Sequence, residues 1–290
     1  MGNSASKSPQ DEVDQELDFS SQTCDSESFE YSRNPIERDQ QLQSILDANR
    51  DVFLPFHQIQ LKEKLSDEFH SNVYRGHFGD GADNRKEVIV KIPFDQTFSL
   101  KAVKKLSKQA KRYVQLRHEN IAQFYGFSLA SQQLFVVTEY INGSILLEVL
   151  KTKFKNLTTS LLIKWATDVA KGMGYLSQQK IIHGNLCAGI CSLSSTDVDT
   201  AIIKITDYIH PSEVGIEDLS VFAFRWVAPE TIDTGGGDIS SAGDVWSYGI
   251  LLWELFSGGK QPYPNISSNL VLQEHLLRRS NNLHEFKKNG

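Results

Sequence analysis

The chain has 290 residues and a mass of 32.7 kDa, room for one large domain or two small ones around a sizeable core. Hydrophobic residues make up 40% and charged residues 23%, a globular balance that excludes wholesale disorder. A net charge of −6 removes the basic field that nucleic acid requires, and three cysteines are too few for a disulfide framework. They imply a reducing compartment, and Cys187 with Cys191 lacks the second pair a structural zinc site needs. No apolar run reaches the roughly 18 residues of a membrane span, and the small polar start does not resemble a secretory signal.

In chain order, the first fifty residues carry eleven acidic residues (Asp11, Glu12, Asp14, Glu16, Asp18, Asp25, Glu27, Glu30, Glu37, Asp39, Asp47) and four basic ones (Lys7, Arg33, Arg38, Arg50). Their net charge is −7, which leaves +1 for the remainder. A segment so poor in apolar residues cannot offset its ordering entropy, so residues 1–54 are expected to be a disordered acidic tail. A short helix around Leu42, Ile45 and Leu46 is compatible with the local spacing. From residue 55 the pattern changes. Ile59, Leu61 and Leu65 predict a strand, and residues 73–78 and 88–92 predict two more. Val103, Leu106, Ala110, Tyr113 and Val114 recur at helical spacing. Residues 124–127 and 134–141 are strand-like again. Leu161, Leu162, Trp165, Ala166, Val169, Met173 and Leu176 predict a long amphipathic helix, and residues 247–256 a helix apolar almost all round, hence buried. Strands, one helix, strands, then mostly helices predict an α+β chain of two lobes, a small sheet-rich one followed by a larger helical one.

Seven short strings follow one another on these elements: Val88-Ile89-Val90-Lys91, His118-Glu119-Asn120-Ile121, Thr138-Glu139-Tyr140, Ile182-His183-Gly184-Asn185-Leu186, Ile205-Thr206-Asp207-Tyr208, Arg225-Trp226-Val227-Ala228-Pro229-Glu230 and Asp244-Val245-Trp246-Ser247-Tyr248-Gly249. In that order and spacing, residues 55–290 resemble the protein kinase domain, with a bilobal fold implied. The Arg-Trp-Val-Ala-Pro-Glu and Leu-Leu-Trp-Glu-Leu-Phe strings resemble the tyrosine kinase branch, and His-Gly-Asn-Leu-Cys-Ala is similar to the inactive domain of the Janus kinases.

The resemblance assigns roles that the residues then meet or fail. The three glycines of the phosphate-covering loop fall on Ser66, Glu68 and Ser71, where side chains occupy the space and Glu68 adds a negative charge. Lys91 takes the place of the phosphate-pairing lysine, and Gln109 that of its glutamate partner; a neutral amide does not balance the charge. Lys91 is equally readable as a snorkelling strand lysine. The catalytic aspartate falls on Asn185, a negligible base, and the metal-binding asparagine on Ile190, which offers a hard cation no side-chain oxygen. Gly189 replaces an arginine near the substrate. Asp207 matches the remaining metal-binding aspartate but is followed by Tyr208 and Ile209; ligand and turn residue both remain open readings. Around the base, Ile89 replaces the roof alanine, the floor falls on Ser192 or Leu193, and the hinge reads Glu139-Tyr140-Ile141 after Thr138. Lys91, Asp207, Thr138, Glu139 and Ile141 are therefore weak nucleotide-binding candidates, and catalytic residues are expected to be absent. Tyr113, Phe124, His183 and Tyr208 are expected to stack in the interlobe core, with Asp244 as its anchor.

Met1-Gly2-Asn3-Ser4-Ala5-Ser6-Lys7 fits the N-myristoylation pattern and resembles Src-like termini, so Gly2 is expected to be acylated. One acyl chain gives marginal, reversible binding. The expected location is the cytoplasmic face of a membrane, the plasma membrane first, exchanging with the cytosol. After Gln261-Pro262-Tyr263-Pro264 only one helix, near residues 269–279, is expected, so the helical lobe reads as shortened and the apolar 247–256 helix as incompletely covered. Glu230 then lacks its usual arginine and is expected to be solvated or differently paired. The reading is a catalytically inactive tyrosine kinase-like protein that binds signalling proteins, an active kinase among them, with a homo- or hetero-dimer as one arrangement. A weak kinase and an ATP-Mg switch without phosphoryl transfer are the alternatives; otherwise no cofactor, metal or nucleic acid is expected.

Overall fold

The computed structural model describes residues 35–68, 71–81, 85–93, 100–131, 133–209, 225–233 and 239–266. Gly2, most of the acidic tail and the helix expected at 269–279 lie outside these residues.

The chain divides into two compact units. The first is built on an antiparallel sheet of five strands: β1 (Ile59–Glu68), β2 (Ser71–Phe78), β3 (Lys86–Pro93), β4 (Phe124–Ala130) and β5 (Gln133–Glu139), in the order β1-β2-β3-β5-β4. Period-two alternation sets its faces. Val88, Val90 and Ile92 of β3 point to a core shared with Ile59, Leu61, Tyr74, Phe135 and Val137, while Ile89 and Lys91 occupy the other face. In β1 the alternation fails. Register shifts between Leu61 and Glu63 and between Lys64 and Ser66 break the alternation that Leu65 shares with Ile59 and Leu61, and Leu65 is 46% exposed.

Two helices belong to this unit, α1 (Pro35–Ala48) and α2 (Leu100–Tyr113), and they touch one another. Leu42, Ile45 and Leu46 form the half-buried side of α1. Helix α1 occupies part of the stretch expected to be disordered, and Val52 and Phe53 after it are buried. Phe53 bridges Phe127 of β4, and Val52 accepts the Phe127 N–H at 2.8 Å. Two adjacent apolar residues without periodicity carry no strand or helix signal, so only the tertiary contact reveals them.

The second unit is mainly helical. It contains α3 (Leu146–Lys153), α4 (Thr159–Gln178), α5 (Pro229–Asp233), α6 (Ser241–Ser257) and a two-stranded ladder of β6 (Cys191–Leu193) with β7 (Ile203–Ile205). Thr158 caps α4 by accepting the Leu161 N–H, and the expected stripe of Leu161, Leu162, Trp165, Ala166, Val169 and Leu176 is buried. Ser240 caps α6, which ends at Gly258 in the left-handed region, φ 75°. Helix α6 departs from the full burial its composition predicts. Leu251 and Leu255 are buried, but Val245 is 71% and Phe256 49% exposed, and Trp246 and Trp253 are exposed too.

Candidate functional site

Lys91 sits mid-strand in β3, opposite Val73 of β2 and Val136 of β5. Ile89, two residues back on the same face, lies between Arg75 and Thr138. This is the half-buried face of the sheet, the place expected for a phosphate-pairing lysine and a blocked adenine roof. Gln109 lies on α2, whose Val103, Leu106, Ala110 and Tyr113 pack inward, Tyr113 edge-on to Phe124 at 6.2 Å. Its Oε1 is buried and accepts no hydrogen bond, so this oxygen does not serve Lys91. An unsatisfied buried amide oxygen costs about 1–3 kcal/mol, a penalty without an ion pair in return.

The glycine-loop positions are drawn into the ladder. Pairing of β1 with β2 continues to Glu68 opposite Ser71, with Val73 opposite Ser66. Side-chain-bearing strands stand where a kinase uses bare backbone to approach phosphate. The hinge residues are tied into the sheet. Glu139 donates its N–H to Gln123 O at 2.8 Å and accepts the Gln123 N–H on Oε2 at 2.9 Å. The Tyr140 ring stacks under the Arg75 guanidinium at 4.5 Å, and Arg75 pairs with Glu87.

In the second unit the loop after residue 182 is held by the buried Asp244 carboxylate on α6, which accepts the His183 N–H at 2.9 Å and the Gly184 N–H at 2.8 Å. His183 is fully buried. The Asn185 N–H donates to its Nδ1 at 3.2 Å, so Nε2 carries the proton and donates to Thr206 O at 3.0 Å. Burial lowers the His183 pKa, against the opposing pull of Asp244 and of the Thr206 carbonyl. Tyr208 is buried and donates its hydroxyl to Ala122 O at 2.8 Å. The anchoring roles expected for Asp244, His183 and Tyr208 thus have their partners within this unit.

Asn185 follows on that fixed backbone, half-buried. Ile190 closes a short 3-10 turn, Ala188–Ile190, and its carbonyl accepts both the N–H and the hydroxyl of Thr206, at 3.1 and 2.6 Å. Its side chain has no donor atom for Mg²⁺, and its carbonyl is already used twice. Asp207 adopts φ 53°, a left-handed backbone that aspartate tolerates better than most residues, and is half-buried. One carboxylate is therefore all that the two motif positions offer a metal. Asp207 alone would hold a Mg²⁺ carried in on phosphates; the position of a second ion offers no side-chain oxygen. Ser192 is half-buried and Leu193 buried; Ile141 is half-buried at the start of the second unit.

Sequence reasoning missed Glu254. This α6 carboxylate is 1% exposed and accepts the Ala188 N–H at 2.9 Å, a second clamp on the loop that contains Asn185. Burial raises its pKa, against the Ala188 hydrogen bond and Lys151; the Trp226 indole approaches the same carboxyl, but its N–H makes no hydrogen bond. Burial and the nearby Glu254 charge push the Cys187 thiol up to about 12. A glutamate in an apolar helix gives no sequence signal that separates a buried clamp from an exposed residue. Glu230, expected to lose its arginine, is exposed. It rims a cavity of about 460 Å³ whose other walls include Val245, Trp246, Ile250 and Tyr263. The nearby Arg225 is buried and donates to the carbonyls of Pro262, Tyr263 and Ile266.

The model of the protein tyrosine and serine/threonine kinase family matches residues 59–288. Among curated relatives, tyrosine protein-kinase src-1 of Caenorhabditis elegans is 30% identical over 235 residues, covering 79% of this chain and 42% of that protein. Mouse tyrosine-protein kinase TXK is 33% identical over 172 residues, 58% of this chain and 31% of its own. Mouse cytoplasmic tyrosine-protein kinase BMX is 35% identical over 181 residues, 59% and 27% respectively. The chain spans less than half the length of these relatives. With the sheet, the helical unit and the motif order in agreement with that match, the chain belongs to the protein tyrosine and serine/threonine kinase family.

Proposed function

We propose that this kinase-family chain is catalytically inactive and works by binding other signalling proteins. The observation that carries the reading is Asn185: the backbone at the catalytic-base position is clamped by Asp244, His183 and Glu254, yet the side chain is an amide. An amide does not accept the substrate hydroxyl proton, which removes about 10²–10⁴-fold in rate. Ile190 in place of a metal ligand, Gln109 in place of an acid and a glycine loop replaced by paired strands compound the loss. Exposed Val245, Trp246, Trp253 and Phe256 on α6 support a binding role, since contiguous apolar surface favours association. Residues 55–290 then form the kinase-like domain, and acylation at Gly2 of the preceding tail tethers it to the cytoplasmic face of a membrane. Incubation with Mg-ATP and a tyrosine peptide tests the reading. It predicts no transfer to peptide or protein; turnover abolished by Lys91→Met or Asp207→Asn overturns it.

A second reading, a nucleotide-binding switch without transfer, is favoured by Lys91 and Asp207 in their family positions. A rise in thermal midpoint with millimolar Mg-ATP, lost in Lys91→Met, supports the switch; an unchanged midpoint excludes it.

A further inference from the structure

Helix α2 has two unlike sides. Val103, Leu106, Ala110 and Tyr113 are buried in the first unit. Lys104, Lys105, Lys108, Lys111 and Arg112 are exposed. At 100° per residue these five fall within about a third of the helix circumference, one continuous basic face. With Lys101 the helix carries six basic residues and no acidic one. None of the ammonium groups of Lys104, Lys105, Lys108 and Lys111 makes an ion pair among the described residues. Like charges at this spacing repel and destabilise the helix, so the face gains from an opposite charge.

We propose that this face is the docking surface for the chain's own acidic N-terminal segment, residues 1–34. That segment holds eight acidic residues (Asp11, Glu12, Asp14, Glu16, Asp18, Asp25, Glu27, Glu30) against Lys7 and Arg33, a net charge of −6 opposite the +6 of α2. It joins the fold at Pro35, the first residue of α1, and α1 contacts α2. At up to about 3.3 Å per residue, 34 residues are more than long enough to run along the about 21 Å of a 14-residue helix. Tethering gives it an effective concentration on the order of millimolar, which many weak, exposed carboxylate–ammonium pairs turn into occupancy. An anionic lipid surface recognises the same lysines. The segment's own negative charge, fixed beside them, opposes that use and favours the intramolecular partner.

A nitroxide on Cys24 tests this in the full, non-acylated chain. Cys24 lies in the segment, whereas Cys191 is fully buried and the Cys187 thiol is pushed up to about 12, so Cys24 reacts selectively. The amide signals of residues 103–113 broaden selectively at 0.1 M salt, where the Debye length is about 10 Å, and recover at 1 M, where it is about 3 Å. Recovery is also expected in K104E/K105E/K108E/K111E. It is expected equally in D11N/E12Q/D14N/E16Q/D18N, which leaves the folded part untouched. Absence of broadening on α2, or broadening that survives the tail neutralisation, overturns the proposal. So does sedimentation of the intact chain with phosphatidylserine vesicles through these lysines while α2 stays unbroadened; the face then serves lipid.

Discussion

His183 is neutral in the folded chain, because its Nδ1 is occupied by the Asn185 N–H and burial removes the water that a cation needs. Its folded pKa lies below the ordinary 6.5, so the stability it contributes is complete above that pH and is lost as pH falls below it. The loss has a slope of at most about 1.4 kcal/mol per pH unit. Urea midpoints measured from pH 7.5 to 5 should therefore fall more steeply for the native chain than for His183→Gln; equal slopes would contradict the buried neutral ring. Glu254 has the opposite sign. Burial raises its pKa, so the folded state prefers the protonated acid and the ionised group lowers stability as pH rises. Glu254→Gln keeps an acceptor for the Ala188 N–H without the charge and should be at least as stable as the native chain at pH 7, with the gap closing as pH falls. Glu254→Ala leaves that N–H unsatisfied and should lose about 1–3 kcal/mol in the same denaturation series.

At the scale of elements, β1 and β2 approach closely where Gly76 faces Leu61 in the ladder. A Cβ at Gly76 would lie 2.4 Å from the Gln60 carbonyl oxygen, a backbone atom that has no rotamer to escape into. Gly76→Ala should separate the strands and cost about 1–3 kcal/mol, read as a lowered urea midpoint. An unchanged midpoint would show that the β1–β2 hairpin is not part of the cooperative unit. Much of the element pattern was legible because periodicity reports one buried face: β3, the inner side of α2, the stripe of α4 and the small apolar side of α1 all follow it. The misses share a cause. The bulges in β1, the burial of Val52 and Phe53, and the three-residue strands β6 and β7 are decided by partners distant in sequence. The substitutions at Asn185, Ile190 and Gln109 are read from the sequence directly, because each family position requires one chemical group and the residue there either has it or lacks it. The Glu254 clamp was hidden for the converse reason: its role depends on where Ala188 comes to lie.

The whole molecule combines a kinase-family scaffold with substituted chemistry and, in our reading, an acylated tail. Gly2→Ala removes the N-terminal glycine that the acylation pattern requires and should shift the protein from the membrane fraction to the cytosol; retention on membranes would place the anchor in a bound partner. The architecture is independent of the substituted positions because its anchors are separate residues. Asp244 and His183 arrange the loop whether or not Asn185 can take a proton. Restoring the base alone should therefore not restore transfer, since Ile190 still offers no metal ligand and Gln109 no charge. The measurement that tests the central claim most directly is single-turnover transfer from radiolabelled Mg-ATP, with protein in excess over nucleotide, for the native chain and for Asn185→Asp. The account predicts that neither places phosphate on the peptide or on itself. Label incorporated by the native chain, and lost in Lys91→Met, would contradict it.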